Sequence, residues 1–259
     1  RAEGYVEGDE GAGKTVVIDF SSPNIAKPLG FHHIRSTVIG AAIARLHAAR
    51  GWNVESVNYL GDWGKQFGLL ATGFGRHGDP DRIGDAKHLV EVYVRANAEA
   101  DVARLDAIIA RPAELQATRE ALEAVRAEAP SDSKAAKKHD KKIKNLEKKV
   151  NALLAGDDPE TARARLEAEA DAARAARPAA VEKDREARLF LKRMEEGDED
   201  ALATWRRYRE ISVRDFEQVY ARLGIAFAHL EGEARYQDVL EDTVEQVRAH
   251  PGTRIDEGA

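Results

Sequence analysis

The stretch from Ser21 to Ser36 constrains this chain more than any other. It reads Ser-Ser-Pro-Asn-Ile-Ala-Lys-Pro-Leu-Gly-Phe-His-His-Ile-Arg-Ser. A β-branched run, Val16-Val17-Ile18-Asp19-Phe20, precedes it, and a helical pattern follows from Ile34. Strand, turn and helix N-terminus in that order make a phosphate site. The first backbone N–H groups of a helix have no internal partner, and the helix dipole places partial positive charge there. His32 and His33, read as standing just before the helix, add donors aimed at the same spot. Lys27 and Arg35 add positive charge, and Pro23 and Pro28 stiffen the turn.

The neighbouring residues extend this into a βαβ unit. Val38, Ile39, Ala42, Ile43 and Leu46 recur at helical spacing, so a helix is expected over 34–50, stopped by Gly51. Residues 53–60 then read as a strand, and the connection is expected to be right-handed. Gly61-Asp62-Trp63-Gly64 follows at its carboxyl end, where ligands bind in open parallel sheets. Residues 65–74 read as helix and 75–85 as loop. Upstream, 4–20 reads as a hairpin with strands at Tyr5-Val6 and 16–20. The loop between them, Gly8-Asp9-Glu10-Gly11-Ala12-Gly13-Lys14-Thr15, fits the phosphate-loop pattern G-x-x-x-x-G-K-[ST]. That pattern needs a helix after it. A strand signal follows instead, and Asp9 and Glu10 would repel phosphate, so a plain turn is the expectation.

The string from Ser21 to Thr37 resembles the first signature of the class I arginyl-tRNA synthetases. The family writes it Ser-Ser-Pro-Asn-Ile-Ala-Lys-Pro, a hydrophobic residue, His-x-Gly-His, then Leu-Arg-Ser-Thr. Here it runs without a gap: SSPNIAKP, Leu29, Gly30-Phe31-His32-His33, then Ile34-Arg35-Ser36-Thr37. The block Asn58-Tyr59-Leu60-Gly61-Asp62-Trp63-Gly64-Lys65-Gln66-Phe67-Gly68 is similar to the same family, especially its eukaryotic-type branch. Gly232-Glu233-Ala234 resembles the family's Gly-Glu-Ser. One departure stands out. The family's first His is Gly30, its Gly is His32, and only its last His is kept, as His33.

The resemblance implies an α/β fold: the Rossmann-like parallel sheet of a class I aminoacyl-tRNA synthetase catalytic domain, with a long helical hairpin insertion. It divides the chain into a first half of the nucleotide-binding fold at 1–88, a helical insertion at 89–186, and a continuation of the catalytic domain at 187–259. It implies an arginine–tRNA ligase, which activates arginine with ATP and transfers it to tRNA(Arg). By the same resemblance the catalytic positions are His33, His32 and Gly30. The ATP-binding positions are Ser22, Pro23, Lys27, Gly30, His32 and His33. Arginine contacts fall on Asp19, Ser21, Ser22, Asn24, His33 and Glu233. ATP is a substrate, with Mg2+ carried on it; no tightly bound cofactor or protein metal site is implied. The implied partners are L-arginine, ATP and tRNA(Arg), without a membrane or an oligomer, in the cytoplasm.

Between the similar blocks the pattern is helical. Residues 87–128 are expected to form one long helix kinked at Pro112, with Pro130-Ser131-Asp132-Ser133 breaking it. Ile143, Leu146, Val150 and Leu153 form a heptad seam on a second helix, and the helices carrying Leu89 and Ile143 are expected to pair as an antiparallel hairpin. Eight lysines lie between Asp132 and Val150. They are read as a solvated coiled-coil face in preference to a tRNA contact. Residues 160–178 are expected to be helical but weakly packed. Downstream, residues 190–202 resemble the family's helix–Gly–helix segment, Trp205 and Phe216 read as core, and 225–227 as a short strand.

Composition limits the other readings. The 259 residues carry a formal net charge of -6, which argues against a protein that coats nucleic acid uniformly and leaves room for a local basic face. With no cysteine there is no disulfide, thiolate metal site or Cys nucleophile. No apolar run approaches the ~20 residues of a membrane span. The chain starts at Arg1 and lacks the family's second, lysine-rich signature loop, so it is read as a piece of a longer protein whose isolated form does not aminoacylate tRNA. Three alternatives remain: a phosphate-loop nucleotidase using Lys14, a non-catalytic synthetase-like binding module, and a small nucleotidylyltransferase of the same fold.

Overall fold

The computed structural model describes residues 7–25, 27, 29–130 and 132–254. The strand expected at Tyr5-Val6 and the string Ile255-Asp256-Glu257-Gly258-Ala259 lie outside the described residues. Contacts divide the chain into two compact units, Arg1–Asn97 with Glu186–Ala259, and Ala98–Arg185.

The first unit is built on a three-stranded parallel sheet. Strand β1 (Thr15–Asp19), helix α1 (Phe31–Ala49) and strand β2 (Asn53–Leu60) form the βαβ unit. β1 pairs with β2 from Thr15 opposite Asn53 to Asp19 opposite Val57. A later strand, β3 (His229–Gly232), pairs with the other edge of β2, from Val57 opposite His229 to Leu60 opposite Gly232. The order is β1-β2-β3. The strand expected at 225–227 is displaced to His229. The backbone N–H of Ala228 donates to the Ser56 hydroxyl at 2.9 Å instead of entering a ladder. Phe227 packs its ring 4.7 Å from Phe20 and 5.1 Å from Tyr220.

The phosphate-loop pattern fails in its surroundings. The Ala12 N–H donates to the Asp9 carbonyl and the Lys14 N–H to the Gly11 carbonyl, which makes a tight turn running directly into β1. The Lys14 ammonium donates to the Glu10 carbonyl at 2.9 Å and lies 5.4 Å from the Trp52 ring centre. Without a helix after it, the loop lacks the convergent N–H groups that hold phosphate.

Helices α2 (Lys65–His77), α3 (Ala86–Glu99) and α7 (Glu199–Leu223) share a buried core with the sheet. Phe67 and Leu70 of α2, Leu89 and Val92 of α3, and Tyr208 and Phe216 of α7 are buried in one cluster with Leu60 at the end of β2. Trp205 packs against that cluster, and Phe216 is inside it. Helix α8 (Gln237–Ala249) follows a 3-10 turn at Glu233–Tyr236.

The second unit contains α4 (Val102–Ala127), α5 (Ser133–Leu154) and most of α6 (Pro159–Glu195). The long helix expected over 87–128 is two helices. Asp101 caps α4 by accepting the Arg104 N–H at 2.9 Å, an N-cap bond that ends continuity with α3. Pro112 sits inside α4 without ending it. Leu89 therefore belongs to the first unit's core, and the pair that runs back on itself is α4 with α5. Leu115 and Leu122 of α4, Val150 of α5 and Leu166 of α6 share one buried cluster, with Ile143, Leu146 and Leu153 packed against it. Nor is the segment after Pro159 weakly packed. α6 runs through Pro178 and buries Ala162, Leu166, Ala170 and Ala173. Spacings of four, four and three place these side chains on one face, where small residues allow close approach.

Candidate active site

Two residues at the carboxyl end of β1 adopt a backbone that side-chain-bearing residues avoid. Ser21 has φ 80° and Ser22 φ 49°, both left-handed. Such a turn persists only when its surroundings over-determine it. The Ser22 N–H donates to the Asn58 Oδ1 at 3.0 Å, and the Ser22 hydroxyl donates to the Asp19 carboxylate at 3.2 Å. The buried Ser21 hydroxyl lies 2.8 Å from the Tyr220 hydroxyl and 2.7 Å from that of Thr37. Thr37 also lies 2.7 Å from the His33 carbonyl, which can only accept. One ordering then satisfies every group. Asn58 Nδ2 donates to Tyr220 at 3.2 Å, Tyr220 to Ser21, Ser21 to Thr37, and Thr37 to the His33 carbonyl. This chain links β2, α7, the turn and α1. Burial raises the Tyr220 pKa, partly offset by its bonds to Ser21 and Asn58, so the phenol keeps its proton at neutral pH.

The turn then meets the end of β2. The Ile25 N–H donates to the Gly61 carbonyl and the Gly61 N–H to the Pro23 carbonyl, both at 3.1 Å, and Asn24 bridges Gly61 in parallel. A Cβ at Gly61 would meet the Asn24 side chain, which would have to swing aside. Pro23 is fully buried beneath it. Next to Gly61, Asp62 is 1% exposed. Its carboxylate accepts from Arg209 Nε at 2.6 Å and from the Ala234 N–H at 3.0 Å, and its carbonyl accepts from Trp205 Nε1 at 2.7 Å. A Cβ at Gly232 would run into that carboxylate. Asp62 thus ties the end of β2 to α7 and to the Gly232-Glu233-Ala234 turn.

Helix α1 begins at Phe31 rather than at Ile34, so His32 and His33 lie inside its first turn. The Gly30 N–H donates to His33 Nδ1 at 3.1 Å, half of a capping box. Burial lowers the His33 pKa, and the charges of His32 and Lys27 lower it further. The imidazole is therefore neutral at pH 7, and the bond to Nδ1 assigns its proton to Nε2. The His32 ring centre is 3.9 Å from that of His33. The Lys27 ammonium lies 5.9 Å from the Tyr93 ring centre. Phe31 is 82% exposed.

The mouth beside this turn is acidic and aromatic. Tyr59 on β2 lies 6.3 Å, ring to ring, from Tyr236. Its pKa is raised by burial first, and then by Tyr236, Glu233, Asp62 and Asp19. These groups converge within electrostatic reach of one phenol. Asp19 and Glu233 are the exposed carboxylates among them, whereas Asp62 is engaged by Arg209.

The chain matches the family described as tRNA synthetases class I (R), catalytic domain, over residues 3–153 and 164–259. It belongs to that family. It is 34% identical over 250 residues to the probable cytoplasmic arginine–tRNA ligase of Schizosaccharomyces pombe, covering 95% of this chain and 31% of the relative. Against the arginine–tRNA ligase of Lactococcus lactis subsp. lactis the identity is 30% over 249 residues, 95% of this chain and 30% of the relative. The crystal structure of arginyl-tRNA synthetase from Plasmodium falciparum shares its fold, at TM-score 0.50 and 19% identity, covering 96% of this chain and 29% of that one. The chain thus spans under a third of the length of these proteins.

For a class I arginyl-tRNA synthetase chain, the structure collects most of the sequence-predicted positions at one end of the sheet. Asp19 and Glu233 lie within electrostatic reach of Tyr59, Ser22 and Asn24 meet Asn58 and Gly61 at the end of β2, and Gly30, His32 and His33 form the start of α1. Ser21 differs from the rest, because its hydroxyl is spent inward on Tyr220 and Thr37. Sequence reasoning gave no role to Thr37, Asn58, Tyr59, Asp62, Arg209 or Tyr220. Asn58, Tyr59 and Asp62 were findable, since they sit beside Gly61 at a strand end. Tyr220 was not, lying 199 residues from Ser21 on a helix with no local signal.

Proposed function

We propose that this chain supplies the first part of the catalytic domain of an arginine–tRNA ligase. In this reading the enzyme forms arginyl adenylate from arginine and ATP and passes the arginyl group to tRNA(Arg). The observation that carries the reading is the convergence of Asp19, Tyr59, Glu233 and Tyr236 in the same unit as the helix start at Gly30–His33. A guanidinium suits paired carboxylates and an aromatic face. The N-terminal turn of α1 suits the triphosphate, with neutral His33 donating from Nε2 and Lys27 supplying charge. Ser22, Pro23 and Asn24 hold the turn between the two ligands. The arginine carboxylate attacks the α-phosphate and pyrophosphate leaves. The protein's part is positioning and charge neutralisation. In this proposal Mg2+ enters on the nucleotide. No described helix is long and apolar enough to cross a membrane, and a cytoplasmic setting is part of the proposal.

The altered tetrad supplies the test. A Cβ at Gly30 would come within 2.8 Å of the His32 ring, so the two positions are sterically coupled. The paired change Gly30→His with His32→Gly restores the family pattern and removes the clash in one step. It should raise kcat/KM for ATP in arginine-dependent ATP–pyrophosphate exchange by about tenfold, assayed in the full-length protein with tRNA present. A lower rate would make Gly30-Phe31-His32-His33 a working variant with His32 as donor. No exchange from either form, both folded, would favour a non-catalytic binding module.

A further inference from the structure

The outer face of α5 is a row of positive charge that no acid among the described residues pairs with. Lys134, Lys137, Lys138, Lys141, Lys142, Lys144, Lys148 and Lys149 are all exposed. At 3.6 residues per turn they fall within an arc of about 160°. Ile143, Leu146, Val150 and Leu153 occupy the other side, turned into the seam of the second unit. Asp140 and Glu147 lie outside the lysine arc, and Glu147 is engaged by Arg126 at 2.7 Å. Among the described residues no ion pair holds any of the eight lysines. Several arginines of this unit are paired instead. Arg111, Arg165 and Arg177 on α4 and α6 each face an acid within 3.2 Å.

Such a face costs the helix stability, because Lys134 with Lys138, Lys137 with Lys141, Lys138 with Lys142 and Lys144 with Lys148 are like charges at neighbouring positions. Solvation of a coiled coil calls for mixed signs, as α4 and α6 have, and not for one sign in one arc. We propose that this face binds the phosphodiester backbone of RNA, with transfer RNA as the partner. The proposal rests on the arginine–tRNA ligase reading for the identity of the RNA. The chemistry of the face narrows the choice. A membrane-lying helix places Trp, Phe or Leu outward, and here every large apolar residue of α5 turns inward. A protein interface needs aromatic or aliphatic anchors at its centre, and this arc has only lysine and Asn145 between its ends. Lysines are point charges that meet phosphates without reading bases. From Lys134 to Lys149 the row spans about 22 Å, enough to follow several consecutive phosphates.

The test uses the 259-residue chain and a fluorescently labelled transfer RNA, titrated between about 50 and 200 mM salt. The variant K134Q/K141Q/K144Q/K148Q should bind at least about tenfold more weakly, with the log–log salt slope shallower by about 3. Arginine at the same four positions should retain both affinity and slope. Helix content by circular dichroism should be unchanged or higher in the glutamine variant, since repulsion is removed. Unaltered affinity and slope in the glutamine variant, or no binding by the parent chain, would overturn the proposal. So would a preference for a DNA duplex of equal length, or for vesicles of anionic lipid, over the RNA. Binding is read without arginine or ATP, so its failure is distinguishable from failure of the ligase reading.

Discussion

The turn at Ser21–Ser22 and the seam of α4, α5 and α6 solve the same problem by opposite means. Each must hold segments distant in sequence against one another. The turn does so with buried polar groups, each satisfied by a particular partner: Asn58, Tyr220, Ser21 and Thr37 in one chain, and Asp62 with Arg209 beside it. The seam uses leucine, valine and alanine that need only to exclude water. A polar chain fails as a unit when one member is lost, because the partners are left unsatisfied. An apolar seam loses roughly the volume removed and keeps its arrangement. The difference fits the tasks proposed for them: the turn must present Asp19, Asn24 and His33 in one geometry, and the hairpin must only be a rod.

Substitutions can break this comparison. The largest effect is expected for Asp62→Ala. It leaves the Arg209 guanidinium and the Ala234 N–H without their buried acceptor, at a cost of about 3 to 5 kcal/mol. Hydrogen exchange should lose protection in β2 and α7 while α4 and α5 stay protected. Equal loss in both places would show that the two regions do not respond separately. Leu166→Ala comes next, at about 3 kcal/mol, from the cavity left in the seam. There the protection lost should be that of α4 and α5, and β2 should be unaffected. Tyr220→Phe is the sharpest and smallest. It changes almost no volume, yet leaves the Asn58 Nδ2 without its acceptor and Ser21 without its donor, so about 1 to 2 kcal/mol is expected in urea denaturation. A change under about 0.3 kcal/mol would mean that the hydroxyl chain does not hold the turn.

The candidate site was legible where its parts are local. SSPN, the histidine turn and Gly61-Asp62-Trp63-Gly64 each sit on a strand end or helix start, and such boundaries carry strong residue preferences. The same holds for the rejected phosphate loop, which the strand signal after Thr15 had already disfavoured. The errors fall where a local rule was overridden. Residues 160–178 read as weakly packed, yet α6 runs through Pro178 and buries Ala162, Leu166, Ala170 and Ala173. Residues 225–227 have strand composition, yet Ser56 takes the Ala228 N–H and pairing waits for His229. Hydrophobic periodicity begins at Ile34, whereas the helix begins where Gly30 and His33 can cap it.

By itself the sequence determined the family, the parallel βαβ unit, the acid and histidine positions around it, and the single-sided charge of α5. All of these depend on residues close together in the chain, or on a helical period that fixes a side chain's direction once the helix exists. Only the tertiary structure decided how the strained serines are held and which side chains are spent inward. It also decided that α6 completes the seam of α4 and α5. Those outcomes rest on contacts such as Ser21 with Tyr220 and Asp62 with Arg209, across 199 and 147 residues. A hydroxyl or a carboxylate carries no mark of its partner until burial removes water as the alternative.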